Sequence, residues 1–179
     1  MASPVKPENT NIPGDPKAGN KPGTLGELKA SGYKPLSIRE EMRRNLIGLI
    51  KAKKPIFNGI IGFDNTVIPQ VENAVLSGQN IIFLGERGQA KSRVMRLLVG
   101  LLDEAIPVIR GCEINDNPFS PICKSCREKV AREGDKTEIA WLSRQDRYGE
   151  KLATPDTTIA DLIGDVDPIK VAEGRYLSD

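Results

Sequence analysis

One stretch near the middle of the chain, Ile81–Ser92, constrains the fold more than any other. It begins with the uninterrupted apolar run Ile81–Leu84, which is typical of a fully buried strand because it holds β-branched and aromatic residues without a polar break. A turn follows, and from Lys91 to Leu102 leucine and valine recur at helical spacing. We therefore predict a strand, a tight turn and a helix, in that order.

The turn matches the phosphate-loop pattern G-x-x-x-x-G-K-[ST] except at Ala90, where glycine is usual. Its backbone N–H groups and the helix N-terminus would cradle phosphates, Lys91 would reach the β- and γ-phosphates, and Ser92 would hold Mg²⁺. A Cβ at position 90 would strain the loop if the site needs a positive φ. The plainer alternative is a structural turn with an incidental lysine. The candidate nucleotide-binding residues of this loop are Gly85, Glu86, Arg87, Gly88, Gln89, Ala90, Lys91 and Ser92.

Composition narrows the class of protein. The chain has 179 residues, about one domain, and a net charge of +2, which gives no general case for binding nucleic acid or an anionic membrane. No apolar run is long enough to span a bilayer, and no signal peptide is present, so we expect a cytoplasmic protein. There is no histidine, which excludes histidine-based catalysis and histidine metal ligands.

The flanking segments are assigned from local signals. Residues 1–34 are rich in proline, glycine and lysine, and we predict a disordered tail. Ser37–Glu40 forms a capping box that opens a basic helix, which Pro55 ends. A second helix is predicted from Asn65 or Thr66 to Leu76, closed by Gly78.

Two further strands are predicted, at Ala105–Arg110 and Thr137–Leu142. Leu101–Glu104 superficially resembles the apolar run plus Asp-Glu that coordinates Mg²⁺ in ATPases. We reject it because it lies inside the helical period after Lys91, whereas that acid must follow a later strand.

Three cysteines, Cys112, Cys123 and Cys126, form the pattern C-x₁₀-C-x₂-C within a Cys-bearing insert, residues 110–136. The C-x₂-C pair suits a zinc knuckle, but zinc takes four ligands, so Glu113 or Asp116, a water or a neighbouring subunit would supply the fourth. Two alternatives stay open: a reversible Cys123–Cys126 disulfide, and three thiols without a role.

Several of these segments together resemble the AAA+ ATPases of the magnesium-chelatase I-subunit and MoxR branch. Gly59–Gly62 looks like the segment that contacts adenine, so the resemblance implies that Ile60 and Ile61 flank the base. Loops ending in Ala-Lys-Ser occur in this branch. Thr154–Asp167 is similar to a chelatase segment, which implies that residues 154–179 begin a hairpin insert near the ring pore. The resemblance covers about residues 35–179.

The resemblance implies an α/β fold of the P-loop NTPase type, with three α/β/α layers around a parallel sheet. The fold is incomplete, since the second catalytic acid, sensor, arginine finger and lid that the family carries are missing. Implied cofactors are ATP and Mg²⁺, with Zn²⁺ if the cysteines bind metal. The full-length protein would be an ATP hydrolase in a hexamer-type homo-oligomeric ring that remodels an unidentified partner or inserts metal, while this chain alone would only bind nucleotide. The alternative is a non-catalytic interaction module built on the cysteine knuckle and the basic helix Ser37–Lys53, with a structural loop at Gly85–Ser92.

Overall fold

A computed structural model describes residues 21–163 of the chain, which divide into two compact units. Apart from Lys21, unit 1 consists of Lys34–Ile106 and Ser143–Gln145, and unit 2 consists of Pro22–Tyr33, Pro107–Leu142 and residues 146–163.

Six helices and two strands are formed by the described residues. The helices are α1 (Leu25–Ala30), α2 (Ile38–Lys51), α3 (Val67–Ser77), α4 (Lys91–Leu98), α5 (Lys124–Glu133) and α6 (Ala160–Ile163). The strands are β1 (Ala105–Ile109) and β2 (Ile139–Ser143), and short 3-10 turns follow α4 at Val99–Leu101 and α5 at Gly134–Lys136.

Helix α2 begins where the sequence predicts and ends at Lys51, four residues before the predicted stop at Pro55. Ser37 and Glu40 form the reciprocal capping box, in which the Ser37 side chain accepts from the Glu40 N–H and the Glu40 carboxylate accepts from the Ser37 N–H. The predicted helix before the phosphate loop is also present as α3, and it ends at Gly78 with a left-handed φ of 69°.

The core of unit 1 lies between α2, α3 and α4. It is formed by Leu46, Leu49, Phe57, Ile60, Val71, Val75, Val94 and Leu101, all buried. Burying a leucine or valine side chain contributes about 1.5–3 kcal/mol. This core therefore fixes both the helix that follows the phosphate loop and the Gly59–Gly62 segment that precedes it in sequence.

A buried polar network joins α2 to the chain just after α4. The Asn45 amide donates to the Leu101 carbonyl at 2.9 Å and to Asp103 Oδ1 at 2.8 Å, and Asn45 is 1% exposed. Glu41 accepts from the Asp103 N–H at 2.6 Å. Asp103 therefore serves the fold of unit 1, which agrees with rejecting Leu101–Glu104 as a Mg²⁺-coordinating strand.

The predicted parallel sheet is wrong. The two predicted strands after the loop helix are confirmed as β1 and β2, but they form a two-stranded sheet and run antiparallel. The residue after β1 pairs with the residue before β2: the Arg110 N–H donates to the Glu138 carbonyl at 3.1 Å. Strand direction depends on which strands pair, and that is set by contacts distant in sequence.

The run Ile81–Leu84, predicted as a buried strand of that sheet, belongs to no strand among residues 21–163. Its side chains alternate: Ile81 and Phe83 pack against the core of unit 1, whereas Ile82 is 83% and Leu84 is 89% exposed. The segment thus keeps the alternation of a strand with one packed face, but no described strand supplies the hydrogen bonds that would define it.

Part of the predicted disordered tail is ordered. Helix α1 lies at Leu25–Ala30, capped by the Thr24 hydroxyl, with Leu25 and Leu28 fully buried. The segment before it pairs with residues 137–139: the Leu25 N–H donates to the Thr137 carbonyl at 2.9 Å, and the Ile139 N–H donates to the Gly23 carbonyl at 3.0 Å. Residues 1–20 lie outside the described residues.

The segment assigned to a pore hairpin is described only as far as residue 163. It contains α6, where Asp161 accepts from the N–H and hydroxyl of Thr158, and the remainder of 154–179 lies outside the described residues. Among residues 21–163, no helix combines the length and apolar character needed to cross a bilayer.

Substituting Asn45→Ala should lower the free energy of unfolding by about 2 kcal/mol. The substitution removes the Asn45 donor from the buried Leu101 carbonyl, and an unsatisfied buried group costs about 1–3 kcal/mol. The Asp103 carboxylate loses one donor but keeps Arg44. Urea denaturation followed by far-ultraviolet circular dichroism measures the change. Arg43→Ala, at an exposed position of the same helix, is the control and should change stability by less than about 0.5 kcal/mol. Equal effects of the two substitutions would contradict the role of the network.

Candidate functional site

The phosphate loop turns into α4 through a left-handed residue. Ala90 has φ 55° and ψ 15° and is the N-cap of α4. Gly85 and Gly88 also have positive φ, at 147° and 84°. The strain that the sequence predicts at Ala90 is therefore present, because a Cβ disfavours this backbone region by roughly 1–2 kcal/mol.

Lys91 lies back across the start of the loop. Its Nζ donates to the Gly85 carbonyl at 2.7 Å and makes a shorter hydrogen bond to the Glu86 carbonyl. A phosphate oxygen would attract this ammonium group more strongly than a neutral carbonyl oxygen does, because both partners would then carry a charge. The Lys91 ammonium group therefore lies at the start of the loop.

The first turn of α4 offers donors to an anion. In the described part of the chain no side chain caps this helix, because its N-cap residue, Ala90, has no hydrogen-bonding side chain. The N–H groups at the start of a helix have no partner within the helix, and they carry the positive end of its dipole. Ser92, the predicted Mg²⁺ ligand, is exposed in this first turn.

Gly85 has a steric role in the loop. A Cβ added there would collide with Oε1 of Gln89, whose side chain folds over the glycine. Glu86, Arg87, Gly88 and Gln89 are all exposed, so the loop backbone is accessible along its length. The backbone angle of 147° is what favours glycine at this position, since the exposed Gln89 side chain can move away from an added Cβ.

The segment predicted to contact adenine lies against α4. A Cβ at Gly59 would lie 2.5 Å from Nη2 of Arg93, so glycine permits this contact between the segment and the helix. Ile60 is 8% exposed and belongs to the core, whereas Ile61 is 88% exposed. Of the two isoleucines, Ile61 presents the accessible apolar surface.

The three cysteines and one carboxylate meet in unit 2. Cys112, Asp116, Cys123 and Cys126 place their candidate ligand atoms within 4.8 Å of one another, so this group could hold a metal ion. Sγ of Cys112 and Sγ of Cys123 are 3.9 Å apart. Glu113, the other carboxylate named from the sequence, is exposed and lies outside this group.

The local backbone explains this convergence. The Ile109 N–H at the end of β1 donates to the Asp116 carbonyl at 2.9 Å, and the turn between them carries positive φ at Gly111 and Asn115. Cys123 is the N-cap of α5, and its Sγ accepts from the Cys126 N–H at 3.3 Å. The strand end and the helix start thereby bring the ligand atoms together.

The thiols differ in acidity. Burial raises the pKa of Cys126 far above its usual value, and the sulfurs of Cys123 and Cys112 raise it further. Burial also acts to raise the pKa of Cys112, but N–H groups of Asp116 and Ile114 and the two other thiols outweigh it, so the Cys112 pKa is lowered. Three sulfurs this close cannot all ionise without a nearby positive charge.

The chain is similar to one curated protein, described as a magnesium-chelatase subunit ChlI homolog from Methanocaldococcus jannaschii. The two are 34% identical over 84 residues, which is 45% of this chain and 22% of the relative. The match therefore spans about a fifth of the relative's length. No family model matches the chain, and no solved structure matches it. The similarity supports a magnesium-chelatase-like relation and nothing finer.

Substituting Ala90→Gly should raise the free energy of unfolding by about 1 kcal/mol, because it removes the cost of a Cβ at positive φ. Gly88→Ala is the matched test, because it adds a Cβ at another residue of the loop with positive φ. Gly88→Ala meets no heavy atom within 4 Å, so it should cost about 1 kcal/mol from backbone strain alone. Urea midpoints measure both. Destabilisation by Ala90→Gly would show that the left-handed turn is not the populated conformation.

Proposed function

We propose that Gly85–Ser92 binds the phosphates of ATP with Mg²⁺. The observation that carries the proposal is the position of Lys91, whose ammonium group lies on the carbonyls of Gly85 and Glu86 in front of a helix that no described side chain caps. A nucleotide phosphate would replace neutral acceptors by anionic ones and would also accept from the first N–H groups of α4.

Each part of the loop has a distinct role in this proposal. Gly85 to Ala90 supply backbone N–H donors around the phosphates, and the positive φ angles at Gly88 and Ala90 shape a concave anion site. Lys91 contributes charge to the β- and γ-phosphates. Ser92 would hold Mg²⁺, which would supply positive charge to neutralise the phosphates.

The base would lie near Gly59–Gly62. The end of the Arg93 side chain on α4, two residues after Lys91, lies where a Cβ of residue 59 would be, and Ile61 offers an exposed apolar side chain in the same segment. Ile60 supports this segment from the core, so its contribution is to hold the backbone in place. An apolar side chain that excludes water from one face of a purine adds affinity without selecting the phosphate number.

At the level of the protein we propose an AAA+ ATPase-like function. The similarity to a magnesium-chelatase subunit homolog and the loop geometry support it together. Such a protein would hydrolyse ATP in a homo-oligomeric ring and couple hydrolysis to remodelling of a partner or to metal insertion. The competing function is an interaction module in which the loop only connects Leu84 to α4, and nucleotide titration separates the two.

Lys91→Ala should weaken Mg·ATP binding at least about tenfold, since hydrogen bonds to charged groups contribute about 1.5–3 kcal/mol. Isothermal titration calorimetry of the intact chain with Mg·ATP measures this. Lys54→Ala removes an exposed lysine after α2 and is the charge-matched control, expected to bind as the unmodified chain does.

Two results would contradict the proposal. One is the absence of saturable Mg·ATP binding by the unmodified chain, which favours the interaction module. The other is equal affinity of the Lys91→Ala and unmodified chains, which would place the nucleotide elsewhere. Circular dichroism spectra of the variants establish that the helices remain formed in each case.

A further inference from the structure

We propose that Cys112, Asp116, Cys123 and Cys126 bind one Zn²⁺, and that this ion attaches α5 to the rest of unit 2. The site is separate from the phosphate loop, and the proposal does not depend on nucleotide binding. It rests on the geometry of the four side chains, on the burial of Asp116, and on the scarcity of apolar contacts made by α5.

The spacing of the ligand atoms is close to that of a tetrahedral zinc site. With Zn–S bonds of about 2.3 Å, two sulfurs on one zinc ion lie about 3.8 Å apart. Sγ of Cys112 and Sγ of Cys123 already lie 3.9 Å apart, and the largest separation in the group is within 4.8 Å. A contraction of at most about 1 Å completes the site, which side-chain rotation can supply.

Asp116 supplies the fourth ligand from a buried position, where its carboxylate has backbone donors but, among the described residues, no cationic side chain beside it. The residue is 4% exposed, and within residues 21–163 no lysine or arginine forms an ion pair with it. A buried carboxylate is costly unless a cation or several donors compensate it. A zinc ion beside it provides that positive charge.

The hydrogen bonds of Asp116 leave room for a metal. Its Oδ2 accepts from the N–H groups of Ile122 and Cys123, at 2.9 and 3.0 Å, and its Oδ1 shares the Ile122 N–H at 3.0 Å. A carboxylate has about four lone-pair sites, so Oδ1 keeps capacity for an ion. The same bonds hold the Cys123 backbone, so one residue both orients a ligand and acts as one.

The start of α5 brings two of the sulfur atoms together. The Cys126 N–H donates to Sγ of Cys123, and Cys123 is itself the N-cap of a ten-residue helix. The positive end of the helix dipole therefore lies beside a group of three thiolates and one carboxylate, whose negative charge exceeds the charge of one Zn²⁺. Lys124 and Arg127, also in the first turn of α5, add positive charge near a site that carries excess negative charge.

Helix α5 has almost no apolar face to hold it in unit 2. Its sequence is Lys-Ser-Cys-Arg-Glu-Lys-Val-Ala-Arg-Glu, and its one buried residue is Cys126, at 3% exposure. Most helices in proteins are stabilised by packing an amphipathic face, which this one lacks. Two thiolate–metal bonds at its first turn would hold it instead.

The donor set favours zinc over other ions. Three thiolates with one carboxylate and no histidine are soft overall, which argues against Mg²⁺ and Ca²⁺. Zinc accepts four-coordinate sulfur and oxygen ligands without redox chemistry. A closed set of four protein ligands is also typical of structural rather than catalytic zinc.

Metal analysis of the full chain, purified with its thiols reduced, tests the stoichiometry. We expect one zinc per chain, lost in Cys123→Ser and in Cys126→Ser and retained in Glu113→Gln, which alters the neighbouring exposed carboxylate. Full zinc content in both serine variants would overturn the proposal. So would failure of the reduced chain to bind Zn²⁺ added alone.

Cobalt substitution tests Asp116 as a ligand. Co²⁺ in the unmodified chain should give the intense visible bands of a tetrahedral site. Asp116→Cys keeps a ligand at this position but changes the set from three sulfurs and one oxygen to four sulfurs, so the bands should move to longer wavelength. An unchanged spectrum would show that Asp116 only orients the backbone and would overturn the four-ligand site.

Hydrogen exchange tests the attachment of α5. Removing zinc with a chelator should speed amide exchange in Lys124–Glu133 by at least about tenfold, while α2 in unit 1 exchanges as before and serves as the internal control. Equal protection of α5 with and without zinc would overturn the role of the ion in attaching the helix, whatever the metal content.

Discussion

The candidate phosphate site depends on one backbone feature, the left-handed conformation at Ala90. It lets the chain leave the extended run Ile81–Leu84 and enter α4 within a single turn, so that Lys91 points back over the loop. A right-handed helical conformation at position 90 would extend α4 by a residue at its N-terminus. The Lys91 ammonium group would then move away from the carbonyls that it contacts. Val94 and Leu101, buried in the core, hold the helix in place against this strained entrance.

The two units use different physical means to hold their helices. Unit 1 packs α2, α3 and α4 around leucine and valine side chains and adds one buried polar network at Asn45. In unit 2, a helix of mostly charged residues reaches the interior through Cys126 alone. Small structural units with few apolar residues are often stabilised by disulfides or metals, and the cysteine cluster lies where such a link has the greatest effect.

The sequence predicted those elements whose formation depends on residues that are close together in the chain. The capping box at Ser37 and Glu40, the left-handed Gly78 and the strands β1 and β2 follow from residues close in sequence. The sheet direction did not follow, because pairing joins segments about thirty residues apart.

Two expectations from the sequence were changed by which side chains the fold buries. Leu25 and Leu28 are isolated apolar residues in a polar segment, yet pairing of residues 23–25 with 137–139 buries them. Similarly, Glu113 and Asp116 are equivalent candidates by sequence, and only the fold places one of them beside the thiols. The contact between Gly59 and Arg93 carried no sequence signal beyond the glycine itself.

The extended run Ile81–Leu84 has a consequence for handling the chain in solution. Its outer face presents Ile82 and Leu84 almost fully to water, and within residues 21–163 no neighbouring strand covers its backbone. An unpaired apolar edge is a template for pairing with another copy. The chain should therefore self-associate more as its concentration rises, for a reason unrelated to its small net charge, and a charged residue at position 82 or 84 would be the first change to make.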